Sequence, residues 1–296
     1  MADMAPWTGK AMPRAFTEYK MTQGQCRFFS DLALKVSRIN IDPGKADFLQ
    51  LRLSRRVRAL NLDGFEAYEC LLKSSEGRKE LRSFIEALTT HTTSFFRERH
   101  QYDWLESSGI EMLSKDGAGF DRPLVIWSAA CSTGAELWSA AMVFADQAGK
   151  SGGIRRFSLL GSDISHAILK KAKGATYTED EISGLSPERR QRYLMRSRQF
   201  FADKGSHFYR IVPELRNMAN FFSANLTEHE TLPPIVADVV FLRNVLIYFR
   251  PDMQAQAIEG VVAKMHPGAV LLTGHAEAIP SHPLLKAIGP SIYRKE

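Results

Sequence analysis

Residues 124–136 read LVIWSAACSTGAE, and this stretch constrains the fold more than any other. Leu124 to Trp127 are an apolar run that suits a strand buried on both faces. Ser128 to Gly134 are nearly all small, so the backbone can turn tightly and a ligand can come close. From Glu136 onward, Leu137, Ala140, Ala141 and Phe144 recur at helical spacing. Strand, small-residue turn and helix together predict the ligand-binding corner of a Rossmann-like sheet. The turn holds one glycine, Gly134, where the dinucleotide fingerprint has three, and it lacks the Gly-Lys-Ser/Thr of a P-loop. Taken alone it reads as well as an ordinary tight turn of an α/β domain. A cofactor without phosphates would need no phosphate cradle there.

The rest of the chain divides around this corner. Residues 1–20 read as a flexible tail. Residues 21–88 are helical in pattern and strand-poor, predicting a small all-α domain. After the Asp42-Pro43-Gly44 turn, Leu49, Leu53, Val57 and Leu60 fall on one helical face, and Arg52, Arg55 and Arg58 form a separate stripe at steps of three. Asn61-Leu62-Asp63-Gly64 stops that helix, and another follows through Phe65, Tyr68, Leu71 and Leu72. Residues 89–296 alternate strands and helices, which predicts a mostly parallel sheet. Its strand candidates are 124–128, 157–162, 219–223, 237–242 and 269–274, with a closing pair in the last twenty residues. Residues 185–216 are too long for a plain crossover. Phe200-Phe201 and Phe208-Tyr209-Arg210-Ile211, flanking Asp203-Lys204-Gly205, predict an inserted antiparallel hairpin there.

Candidate functional residues sit where these strands end. Asp163 closes the second strand, where a carboxylate can accept both hydroxyls of a ribose; its alternative role is the N-cap of the next helix, for which Ser165 is equally suited. Asn225 and Leu226 follow the third strand, with a carboxamide for an adenine edge and a leucine for its face, though a lone Asn there is more often a turn residue. Arg243 and Asn244 end the fourth strand, beside the position where open α/β sheets bind ligands. The sequence there is Arg-Asn-Val-Leu-Ile-Tyr rather than Asn/Asp-Pro-Pro-aromatic, which disfavours a nitrogen nucleophile and suits an anionic one. In LTTHTTSFFRER, residues 88–99, a capped helix start explains Phe95 and Phe96 but leaves Arg97 unexplained.

Composition narrows the partners. A chain with 44% hydrophobic and 24% charged residues is ordinary for a globular protein. No segment approaches the roughly 20 apolar residues of a membrane span, and the start has no apolar core of signal-peptide type, so a cytoplasmic location is expected. Cys26, Cys70 and Cys131 form no C-x-x-C pair, and no H-x-x-x-H spacing occurs, so no metal is expected. Residues 1–90 hold 15 Lys/Arg against 11 Asp/Glu, a basic excess that points to an acidic partner.

With these segments assembled, the chain resembles the CheR-type family, the bacterial chemotaxis receptor glutamate methyltransferases. TSFFRE at 93–98, WSAACSTGAE at 127–136, SDI at 162–164, NL at 225–226, RNVLIYF at 243–249 and GHAE at 274–277 align in order, as does RLSRRVRAL at 52–60. The resemblance covers about residues 25–296. It implies a Rossmann-like class I S-adenosylmethionine-dependent methyltransferase sheet with an inserted antiparallel β-subdomain, preceded by an all-α domain. It implies S-adenosylmethionine as cofactor and S-adenosylhomocysteine as product. Cofactor contacts are implied for Thr93, Arg97, Glu136, Asp163, Asn225, Leu226, Arg243 and Asn244, and for His91, which replaces a common Asn. Arg97 and Tyr248 would line the methyl-transfer end. Arg52, Arg55, Arg56 and Arg58 would meet the acidic methylation helices of methyl-accepting chemotaxis receptors, with no nucleic acid, no membrane insertion and a monomeric enzyme. Other departures are Ala135-Glu136 for a paired Glu-Glu, Leu137-Trp138 for Pro-Tyr, and Leu242 for a Cys. Two further readings stay open: a methyltransferase of a small acid or RNA, and a non-catalytic cofactor sensor.

Overall fold

A computed structural model of the chain describes residues 20–115, 117–148, 156–200 and 207–296. The expected tail and the Asp203-Lys204-Gly205 turn lie outside the described residues, apart from Lys20.

Four helices build the N-terminal unit: α1 Gln23–Ser37, α2 Ala46–Ala59, α3 Phe65–Lys73 and α4 Gly77–Leu88. Thr22 starts α1 with a capping box, its hydroxyl accepting the Gln25 N–H while the Gln25 side chain takes the Thr22 N–H. Leu49, Leu53 and Val57 are fully buried, as the helical spacing requires, and meet Phe29, Tyr68 and Phe84 in one core. Asn61 and Gly64, both at positive φ, turn the chain out of α2.

An extended segment from Thr89 then leads to a turn at Phe95–Glu98, followed by α5 Arg99–Trp104, a π-helical turn Leu105–Gly109 and α6 Ile110–Lys115. The motif at 88–99 is therefore an extended segment and a turn, and the helix that follows starts only at Arg99, with no side-chain cap. Phe96 and Glu98 hold left-handed φ of 54° and 57°, a conformation that persists only where the surroundings enforce it.

The sheet strands β1 Leu124–Ser128, β2 Phe157–Asp163, β3 Thr176–Tyr177, β4 Leu194–Arg196, β5 Tyr209–Ile211, β6 Ala219–Ser223, β7 Ala237–Leu242, β8 Met265–Thr273, β9 Leu285–Gly289 and β10 Ile292–Lys295 form two sheets. The larger runs β6-β2-β1-β7-β8-β10-β9. Its first five strands are parallel, and β10 is antiparallel to both neighbours. Helices α7 Ala135–Gln147, α8 His166–Gly174 and α11 Pro251–Ala263 are the crossovers. One face packs on α7 through Trp138 and Phe144; the other packs Trp127 and Leu242 against Ile258 and Val261 of α11. Ser128 is in register with Gly161 and Phe241, and Asp163 with Ser223, so the strand ends converge on one edge.

The inserted β-subdomain differs from the sequence expectation. It is the sheet β3-β5-β4, so it begins at Thr176, before the expected 185. The hairpin partner of Tyr209–Ile211 is Leu194–Arg196; Phe200 is exposed and outside any strand, and Phe201 lies outside the described residues. Short helices α9 Pro187–Tyr193 and α10 Pro213–Arg216 flank it. The helical unit meets the sheet domain where the Asn40 N–H donates to the Tyr248 carbonyl at 2.9 Å and the Ala167 N–H donates to Glu86 at 3.3 Å. No described helix is long and apolar enough to cross a membrane.

Candidate active site

The carboxyl ends of β1, β2, β6 and β7 open into a cleft of about 950 Å³, partly open to solvent, that the segment after α4 closes on the other side. His91, Thr93, Arg97, Glu136, Asp163, Asn225, Leu226, Arg243, Asn244 and Tyr248 all line it, with Ser37 and Ile39 from the helical unit. Residues scattered over more than 150 positions of sequence are thus brought together, from Glu136 onward because parallel strands all end on the same edge, and from His91 to Arg97 because the segment after α4 crosses that edge.

Asp163 is buried. Its two oxygens accept the backbone N–H groups of Ser132 and Ser165, each at 3.0 Å. Ser165, not Asp163, caps α8, its hydroxyl taking the Ile168 N–H at 3.3 Å. Burial pushes the Asp163 carboxyl above the ordinary aspartate range, although the N–H of Ser165 and a charge on His91 oppose it. A carboxylate has more lone pairs than these bonds use, and Asp163 lines the cleft together with Ile164 and Leu226. A ribose diol completes such a group, and the site fits a nucleoside cofactor.

The small-residue loop divides its work in a way the sequence did not show. Ala129, Ala130 and Ser132 face the cleft. Gly134 does not line it: at φ 86° it turns the chain into α7, and a Cβ there would come within 2.9 Å of Trp138 and 3.1 Å of Ala172. Cys131 is buried, and burial holds its thiol well above the ordinary range, so it supplies no thiolate.

Asn225 lines the cleft, yet its carboxamide is largely engaged. Its Oδ1 accepts from the Thr227 N–H at 3.2 Å and hydroxyl at 3.0 Å, and its Nδ2 donates to Glu228 at 2.9 Å. The turn role and the cleft role coexist, with one N–H left over. Burial pushes the neutral form of the His91 imidazole ahead, its pKa falling below the usual histidine range; its Nε2 lies 2.8 Å from the Thr89 hydroxyl.

Arg243 is the electrostatic centre. Its side chain is 1% exposed, with Nε 3.5 Å from Glu136 and 3.6 Å from Glu98 and the guanidinium over the Tyr102 ring. It also donates to the Arg97 carbonyl and to Tyr102. Burial raises the Glu136 carboxyl; Arg243 and the Ser128 hydroxyl at 2.6 Å pull it back. Arg97 donates to the Thr92 carbonyl at 3.1 Å, and Tyr248 lies half-buried across the cleft.

Sequence reasoning missed two organising carboxylates. Glu98 joins Arg243, Asn244 and His275. Glu277 is buried and accepts three backbone N–H groups, from Asn244, Leu246 and Gly274. The GHAE motif contained Glu277, but nothing near it in sequence shows which loop it holds. One assignment is corrected: Arg56 is not a free member of the basic surface. It forks onto Glu80 at 2.8 Å through both Nε and Nη2, while the Tyr68 hydroxyl donates to the same carboxylate. Arg52 reaches Thr89 and Thr90 at the edge of the cleft segment; Arg55 and Arg58 are exposed.

This strand order, with the strand ends around one cleft, is that of the class I S-adenosylmethionine-dependent methyltransferase fold. The chain belongs to the CheR methyltransferase family: residues 91–291 match its SAM binding domain and residues 25–89 its all-alpha domain. The chemotaxis protein methyltransferase of Salmonella typhimurium is 37% identical over 235 residues, 79% of this chain and 76% of that one. Its counterpart in Escherichia coli is 34% identical over 259 residues, 87% and 85% of the two chains. Chemotaxis protein methyltransferase 2 of Pseudomonas aeruginosa is 31% identical over 278 residues, 93% and 94%.

Proposed function

We propose that this protein methylates glutamate side chains of chemotaxis receptors, forming methyl esters. Bound S-adenosylmethionine supplies an activated methyl group on a sulfonium. In this reading Asp163 takes the ribose hydroxyls, Leu226 covers the base, and Glu136, Arg243 and Asn244 border the methionine end. Arg97 and Tyr248 flank the opening through which an acceptor enters. The observation that carries the reading is the convergence of the strand-end residues Asp163, Asn225 and Leu226 with a cation, Arg97, and a phenol, Tyr248, on one cleft.

The acceptor needs little acid–base help, since a solvated glutamate with a pKa of about 4.3 is ionised at neutral pH. The chain's task is to align the carboxylate and exclude water. Arg97 suits that task while its guanidinium is shared with the Thr92 carbonyl, because full pairing to the acceptor would lower its nucleophilicity. Arg52, Arg55 and Arg58 supply the surface for the acidic receptor segment. The enzyme acts as a monomer in the cytoplasm and uses neither metal nor nucleic acid.

The test is incubation with methyl-labelled S-adenosylmethionine and receptor-bearing membranes of the source organism. Label in receptor bands, released as methanol by mild alkali, supports the reading. An alkali-stable product overturns it in favour of another acceptor, and cofactor binding without turnover favours a sensor.

A further inference from the structure

The β-subdomain grips the turn that carries Arg97. Helix α9 places the Arg189 guanidinium 4.4 Å from the centre of the Phe96 ring. Its Nε pairs with Asp146 at 3.1 Å, and its Nη2 with Glu106. The side chain is 17% exposed, so the stack and both pairs form in a partly desolvated setting, where cation–π and ionic contacts are strongest. Beside it, Phe95 meets Tyr177 of β3 edge-on at 5.0 Å. At Gly184 a Cβ would stand 2.7 Å from the Phe95 carbonyl, so this segment presses directly on the linker backbone. From the other side the Ser139 hydroxyl accepts the Phe96 N–H at 2.9 Å. Phe96 itself holds φ 54°, a conformation its surroundings must impose. Neither Arg189 nor Tyr177 lines the cleft.

We propose that Arg189 is a positioning residue for methyl transfer, fixing Phe96 and through it the placement of Arg97. The inference rests on the reading of Arg97 as a residue of the methyl-transfer end. It explains why a subdomain outside the cleft is packed against the catalytic segment: motion of α9 is transmitted to one side chain at the site. Arginine suits the position because its planar fork reaches Asp146 and Glu106 while its guanidinium sits over a ring; lysine offers one compact charge for the same three partners.

The experiment is a double-mutant cycle in single-turnover receptor methylation, with labelled S-adenosylmethionine and receptor-bearing membranes. Arg189→Ala is expected to slow transfer about tenfold or more, the scale for a catalytic group displaced by a fraction of an ångström. Cofactor affinity by calorimetry should stay within about threefold, and Arg189→Lys should recover part of the rate. Added to Arg97→Ala, the Arg189→Ala change should have little further effect, because both act through one group. If Arg189→Ala leaves the rate at wild type, or slows the Arg97→Ala variant by the same factor as the wild type, the inference fails. If Arg97→Ala is itself fully active, the reading of the site fails instead. Should Arg189→Ala fold poorly, the Lys variant carries the same cycle.

Discussion

Glu277 accepts the backbone N–H of Asn244 at 2.7 Å, across 33 residues of sequence. Asn244 stands at φ 57° between the buried Arg243 and the segment that ends at Tyr248. The same carboxylate takes the Leu246 N–H and the Gly274 N–H, each at 2.8 Å, so one side chain sets the path of the whole loop after β7.

Replacing that carboxylate should therefore loosen the loop and cost the fold part of its stability. In Glu277→Gln the carboxamide can accept at one end only, and its NH2 confronts at least one N–H it formerly satisfied. A buried donor left unpaired costs about 1–3 kcal/mol. Urea denaturation should show a loss on that scale, and transfer at saturating cofactor should fall because Tyr248 is no longer fixed. A variant as stable and as fast as wild type would show that the three bonds are incidental.

Asp163 predicts a pH dependence of cofactor binding. The ionised carboxylate accepts hydroxyls, and burial places its pKa above the ordinary aspartate range. Affinity should be flat above that raised pKa and decline as pH falls through it, at a higher pH than an ordinary aspartate would give. Asp163→Asn cannot titrate, so the acidic decline should shrink. At neutral pH it should bind more weakly by about 1.5–3 kcal/mol, the scale of a hydrogen bond to a charged group. Calorimetry showing unchanged neutral affinity would remove Asp163 from the ribose site.

How far the sequence revealed this site follows from distance along the chain. Asp163, Asn225 and Arg243 were legible because each ends a strand or follows one within two residues, and parallel strands share an edge. Glu98, Glu277 and Arg189 were not, since each acts on a segment brought near only by folding. Arg56, grouped with the receptor-facing arginines by the resemblance alone, misled for the same reason: nothing near it in sequence shows that Glu80 and Tyr68 of two other helices meet it. The β4–β5 hairpin was misplaced because three-residue strands are too short for alternation to register.

The arginines of α2 should separate on mutation. Arg56→Ala strands a largely buried Glu80 carboxylate and should cost about 2 kcal/mol of stability. Replacing the exposed Arg55 and Arg58 together with alanine should leave stability and cofactor affinity near wild type. Receptor methylation should nonetheless fall, most at low salt, where charge steering is strongest. Methylation unchanged across ionic strengths would reduce this face to a solvated surface.

Tyr248 tests the nucleophile. With an acceptor ionised far below neutrality, the chemical step needs no base titrating there and should stay nearly flat from about pH 6 to 8. Of the carboxyls that border the cleft, Asp163 and Glu136 are raised by burial, but in the proposed reading both face the cofactor and neither takes a proton. Tyr248→Phe removes only a hydroxyl from the acceptor side of the cleft, so it should slow single-turnover transfer without creating a new pH dependence. Its backbone carbonyl still accepts from Asn40, so the joint to the helical unit survives. Arg97→Ala should slow transfer more, because it removes a cleft cation as well as the bond to Thr92. A rate that instead climbs tenfold per pH unit in either variant or the wild type would demand a catalytic base, and the pre-ionised carboxylate would no longer account for the reaction.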